Sequence, residues 1–173
     1  LPLYTEKDAV ETLKRVETRP YGKAFAAADG IEASFRRAGH ILGAGTVSLK
    51  TEGVRIVFSG DLGRWEQPIL PDPEPPPEAD ILLLESTYGD RVHPKAPEEG
   101  LARIVNEAAK RGAALLIPAF AVGRAQNLIW MLHELAKSGR IPKLPSFLDS
   151  PMAQHVSRIT CRHAEEHDEE MRR

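Results

Sequence analysis

The sequence predicts an α/β fold in two styles, mostly antiparallel β over residues 1–93 and alternating helix and strand over residues 94–173. Three observations predict it. Two short turn signals, Asp29-Gly30 and Glu52-Gly53, each stand between runs of strand-forming residues. Residues 68–77 hold six of the fourteen prolines and close off that region. Beyond them, helical and strand-like segments take turns, as they do in a parallel α/β unit.

In order, Thr5 followed by Asp8 reads as a capping box, and Val10, Leu13 and Val16 continue a helical stripe. Lys23 to Ala27 and Ile31 to Arg37 form a first predicted hairpin, and Thr46 to Lys50 with Val54 to Phe58 a second. The run PDPEPPP cannot be helix or central strand, because proline lacks the N–H and fixes φ; it reads as a stiff surface loop. Asp80 to Leu84 follows as a strand apolar on both faces, the pattern of a sheet interior. A helix is predicted from about Pro97 to Lys110, a strand from Ala113 to Ile117 and a helix from about Gly123 to Lys137. A strand near Ser146 to Leu148 and a helix opening at Pro151 complete the series. The boundary between the two parts is expected within residues 91–96.

At 173 residues and 19.1 kDa the chain has about the length of one domain. With 42% hydrophobic and 28% charged residues it has the apolar material for a core, which excludes a disordered tail, a fibrous repeat and a coiled coil. The longest apolar runs, Ile81 to Leu84 and Ala113 to Ile117, fall far short of the ~20 residues of a membrane span. No signal peptide and no membrane partner are expected. The single cysteine, Cys161, cannot make an internal disulfide, which fits a reducing, cytoplasmic setting. Lys and Arg number 23 against 25 Asp and Glu, a net −2, so the basic surplus of a protein that grips phosphates broadly is missing. Any polyanion site must be local, or must draw positive charge from bound metal.

Several residues could carry chemistry. Asp61 follows a strand inside Ser59-Gly60-Asp61-Leu62-Gly63, where a carboxylate can project into a cleft and hold a metal; taken alone, Asp-x-Gly is more often an ordinary turn aspartate. His40 lies in a loop with three glycines within seven residues, and neutral imidazole is the commonest zinc ligand, although loop histidines also serve structure. Glu85, at the exit of an apolar strand, could orient a histidine or shuttle a proton, or could cap neighbouring N–H groups. Pro118 to Gln126 joins a strand to a helix, so free N–H groups beside Arg124 could cradle a phosphate; simple helix capping fits as well. Ser150 reads as the N-cap of the helix opening at Pro151. His163 to His167 matches H-x-x-E-H, a zinc-peptidase pattern, but its almost wholly charged surroundings read as a solvated helix face. His93, His133 and His155 have no useful partner spacing, and Trp65 and Trp130 read as packing residues.

Taken in order, GHILGAG with His40, FSGDLGR with Asp61, LLLESTYGDR with Glu85, PAFAVGRAQ and FLDSPMA resemble the β-CASP family of metallo-β-lactamase-fold nucleases, nearest to its RNA-cleaving branch. Five motifs agree in order and spacing across about residues 1–160. The resemblance implies part of a metallo-β-lactamase αββα sandwich in residues 1–93, followed by part of a Rossmann-like β-CASP domain in residues 94–173. It implies that His40 binds one zinc, that Asp61 bridges two, and that Glu85 acts in catalysis by pairing with a later histidine. Two zincs can share a hydroxide and neutralise phosphate oxygens during in-line attack. Arg124 and Ser150 are the substrate-binding candidates. The H-x-H-x-D-H string that these enzymes carry ahead of the His40 motif does not occur in the sequence, nor do two histidine motifs downstream of FLDSPMA. The expectation is therefore an internal piece of a longer enzyme, inactive by itself and open to association, including as a homodimer.

The function expected of the complete enzyme is zinc-dependent hydrolysis of single-stranded RNA, endonucleolytic and possibly exonucleolytic. Within the fold, a DNA-processing nuclease or a small-molecule metallo-hydrolase is the alternative. Outside it stands a non-catalytic scaffold subunit of an RNA-processing complex.

Overall fold

The computed structural model describes residues 2–92 and 96–172. The boundary expected within residues 91–96, and His93 with it, falls largely on residues 93–95, outside the described residues.

Helix α1 spans Glu6–Leu13. Thr5 and Asp8 form the expected capping box: the Asp8 carboxylate accepts the Thr5 backbone N–H at 2.8 Å and the Thr5 hydroxyl accepts the Asp8 N–H at 3.4 Å. No residue of α1 is buried, so local capping rather than packing defines it.

Five strands follow: β1 Phe25–Ala28, β2 Ile31–Arg37, β3 Gly45–Thr51, β4 Val54–Phe58 and β5 Ile81–Leu83. They form one sheet in sequence order, antiparallel from β1 to β4 and parallel between β4 and β5. Both expected hairpins are present. The second turns on Glu52 and Gly53, both at positive φ (44° and 82°), the primed-turn geometry that matches strand twist. Ala33 and Val57 are buried on the sheet.

The proline stretch forms neither helix nor strand, as expected. It runs past the end of β2, where Glu74, one of its few residues with an N–H, donates to the Arg37 carbonyl at 2.9 Å. Strand β5 departs from expectation. Among the described residues it pairs with β4 alone and forms an edge of the sheet, with its apolar side chains about half exposed rather than enclosed on both faces.

The second half contains α2 Pro97–Lys110, α3 Arg124–Lys137 and α4 Pro151–Arg162. Proline opens α2 and α4, where its missing N–H costs nothing. Ala102, Val105, Leu135 and Ile141 form a core cluster between α2 and α3, with Leu101, Leu132 and Ala136 against it.

The two strands expected here, Ala113 to Ile117 and Ser146 to Leu148, form no ladder. A parallel strand exists only beside a partner about 4.8 Å away. Among the described residues neither segment has one, and Leu116 (88% exposed) and Phe147 (90%) stand in solvent. The C-terminal run is also not the expected solvated helix face. Ala164–Glu166 is a single 3-10 turn, His167 is buried, and Glu166 reaches back to the sheet.

Candidate functional site

The sheet register gathers the motif loops. Arg37, the end of β2, lies across from Gly45; Val47 lies across from Phe58, the end of β4; and Phe58 lies across from Leu83, the end of β5. The segments carrying His40, Asp61 and Glu85 therefore all leave one end of the sheet. Carboxyl ends of strands are where open α/β sheets collect their ligands.

Backbone and side-chain contacts lock these loops together. Gly63 donates its N–H to the Ala38 carbonyl at 2.7 Å, and Ser59 donates to the Leu83 carbonyl at 2.9 Å. The Ser59 hydroxyl accepts the Glu85 N–H at 2.9 Å. A Cβ added at Gly63 would lie 1.9 Å from the Gly39 carbonyl oxygen and 2.7 Å from the His40 nitrogen, so only glycine allows this approach. The start of α3 comes to the same place. Gly123, its N-cap at φ 75°, would put a Cβ 2.9 Å from the Ile41 side chain.

Glu85 is held from two sides. One oxygen accepts the Leu62 N–H at 3.2 Å and the other the Thr87 N–H at 2.8 Å. The Thr87 N–H, then that of Leu62, then the Thr87 hydroxyl hold its carboxyl below the usual glutamate value, and the nearby charge of His40 acts in the same direction. The capping reading of Glu85 is thus realised, and beside His40. His40 and Asp61 are both exposed, and no hydrogen bond holds the Asp61 carboxylate among the described residues.

No group of three or more His, Cys, Asp or Glu is placed to hold a metal ion among the described residues. His40 and Asp61 supply one imidazole and one carboxylate, while both oxygens of Glu85 are already engaged. A zinc site needs about four donors, so these residues alone do not fit a two-zinc centre.

The phosphate-cradle reading at α3 is narrowed. The Arg124 N–H donates to Val122 at 2.9 Å and the Ala125 N–H to Phe120 at 3.2 Å, so two of the N–H groups are taken by the chain's own loop. The exposed Arg124 guanidinium remains available to an anion. Ser150 caps α4, accepting the Ala153 N–H at 3.2 Å.

The H-x-x-E-H residues have other work. His163 bonds Glu165 at 2.8 Å, the His167 ring bonds the Thr160 carbonyl at 2.8 Å, and Glu166 pairs with Arg37. Trp65, expected to pack, is 64% exposed on the loop after Asp61.

Two organising residues were not singled out by sequence. Gln126, buried in the first turn of α3, donates to the Ala121 carbonyl at 3.1 Å and to the Ser157 hydroxyl at 2.9 Å, tying the motif loop to α4. Arg37 is the other. Nothing local marks Arg37, and Gln126 is marked only as the last residue of PAFAVGRAQ; the repeated glycines around positions 39 to 63 hinted at close approach there.

Similarity to known proteins extends along most of the chain. Residues 125–173 match the Beta-Casp domain model. The chain is 38% identical over 157 residues to Ribonuclease TTHA0252 of Thermus thermophilus, covering 90% of this chain and 36% of that protein. It is 33% identical over 156 residues to Cleavage and polyadenylation specificity factor 73 of Drosophila melanogaster, covering 88% of this chain and 23% of that protein. It is 34% identical over 135 residues to Endoribonuclease YSH1 of Kluyveromyces lactis, covering 76% of this chain and 18% of that protein. The chain thus spans between about a fifth and about a third of the length of these relatives. Five ordered motifs, their convergence at one sheet end and this similarity point the same way: residues 125–173 match the Beta-Casp domain, and most of the chain is similar to part of proteins named ribonuclease and endoribonuclease.

Proposed function

We propose that these residues form part of a metal-dependent hydrolase that cleaves phosphodiester bonds in single-stranded RNA. The observation that carries this reading is the convergence of the His40, Asp61 and Glu85 loops and the start of α3 at one end of the sheet. Relatives named ribonuclease and endoribonuclease support RNA as substrate and cutting within the chain as the mode.

In this proposal His40 and Asp61 are two donors to a metal centre, zinc being the metal the resemblance implies, and a longer chain supplies the rest. The length of the relatives supports that view. Glu85 keeps the Asp61 loop in place through the Leu62 N–H and stays ionised beside His40. Arg124 offers a planar fork to a phosphate. A scaffold role is the second reading, favoured by the shortage of donors among the described residues.

The test uses the full-length protein with zinc on end-labelled single-stranded RNA and DNA of one sequence. Cleavage of RNA alone into internal fragments supports the proposal. Cleavage of DNA, or of neither strand with zinc shown to be bound, overturns it.

A further inference from the structure

We infer that Arg37 is a positioning residue that makes the seating of the His40 loop depend on the segment following α4. Arg37 closes β2 three residues before His40. Its Nε and Nη2 donate to the two oxygens of Glu166 at 2.7 and 2.8 Å, and its Nη1 donates to Glu74 at 3.1 Å. The guanidinium also lies over the Tyr21 ring, 4.7 Å from its centroid. Glu166 stands 129 positions later in the chain. A second tie accompanies it, the Asp168 N–H donating to the Ile69 carbonyl at 2.8 Å.

The same residues hold the stem of the His40 loop. Tyr21, beneath the guanidinium, donates its hydroxyl to the Ala44 carbonyl at 3.1 Å, and that carbonyl also accepts the Ala38 N–H at 3.0 Å. Both ends of the 38–44 loop are thereby fixed one contact away from Arg37. Ala38 in turn accepts the Gly63 N–H, and Gly63 packs on Gly39 and His40 with no space for a methyl group. Displacement of Arg37 therefore has no slack in which to be absorbed and passes to His40 and to the Asp61 loop.

Arg37 and Glu166 are 31% and 24% exposed, and the pairing is two-pronged, unlike a single-contact surface pair. Lysine, a point charge, cannot reproduce the fork. The effect on turnover rests on the nuclease reading; the effect on the loop does not.

The test compares the full-length protein with its Glu166→Gln, Arg37→Lys and Arg37→Ala/Glu166→Ala variants by amide hydrogen exchange and by RNA-cleavage kinetics. Glu166→Gln is expected to speed exchange in residues 38–44 about tenfold and to lower kcat about ten- to a hundredfold, with KM within about twofold. Arg37→Lys should behave likewise. The double variant, which also loses the Arg37 contacts with Glu74 and Tyr21, should be at least as severe as Glu166→Gln. Unchanged exchange at 38–44 overturns the inference, and so does a lower Tm with kcat intact. If the wild-type protein cleaves no RNA, the nuclease reading fails and hydrogen exchange alone decides the role of Arg37.

Discussion

Leu62 donates its backbone N–H to the Glu85 carboxylate at 3.2 Å, so the loop after β4 and the loop after β5 share one anchor. The other Glu85 oxygen binds the Thr87 N–H within its own loop. A single side chain thus fixes the stretch on which Asp61 stands and keeps its own charge beside His40.

Replacing that anchor gives a first prediction. Glu85→Ala should remove protection from the Leu62 and Thr87 amides, and Glu85→Gln should retain part of it, because one carbonyl oxygen remains as acceptor. Residue-resolved hydrogen exchange reads both directly. Equal protection in Glu85→Ala and wild type would show that the anchor is not operating.

Glycine substitutions should split by position. Gly63→Ala places a methyl 1.9 Å from the Gly39 carbonyl oxygen and should cost about 3 kcal/mol or more in urea unfolding. Gly100→Ala, within α2 and with open space around it, should stabilise by about 0.5–1 kcal/mol.

The Arg37–Glu166 pair predicts a pH dependence. Hydrogen bonding from Arg37 holds the Glu166 carboxyl below its ordinary value of 4.5, with Glu165 opposing and His163 reinforcing this, while Glu74 shares the guanidinium. A depressed folded-state pKa stabilises above the unfolded value, and that contribution is lost as pH falls through the folded value. Wild type should therefore exceed Glu166→Gln by about 1–2 kcal/mol near pH 7, and the gap should narrow as pH falls below the ordinary glutamate value of 4.5. Urea midpoints across that range measure it; a gap independent of pH would contradict the pairing.

Arg124→Ala should weaken single-stranded RNA binding and make its salt dependence shallower by about one phosphate contact. An unchanged slope would return Arg124 to a purely structural place at the start of α3.

What was legible in the sequence was local. The Thr5–Asp8 box, the two hairpin turns and the prolines opening α2 and α4 are decided by residues within a few positions of one another, and each formed as read. Strand pairing is not local. The apolar run at Ile81 looked enclosed, yet among the described residues only β4 lies beside it, and Ala113 to Ile117 has the composition of a strand but no neighbour there. His40, Asp61 and Glu85 could be picked out by residue type and motif order. Their closeness depends on the β2–β5 register and on the Gly39–Gly63 approach, which no short spacing encodes. The Arg37–Glu166 fork was invisible for the same reason, and the charged run around Glu166 passed for solvated surface.

In the proposed function, Asp61 stands in the reacting centre of an RNA-cleaving enzyme. The most direct measurement is cleavage of end-labelled single-stranded RNA by the full-length protein and its Asp61→Ala variant, with folding checked by circular dichroism. The account predicts a folded variant whose cleavage falls by at least about a hundredfold. A folded variant that cleaves RNA at the wild-type rate would contradict it.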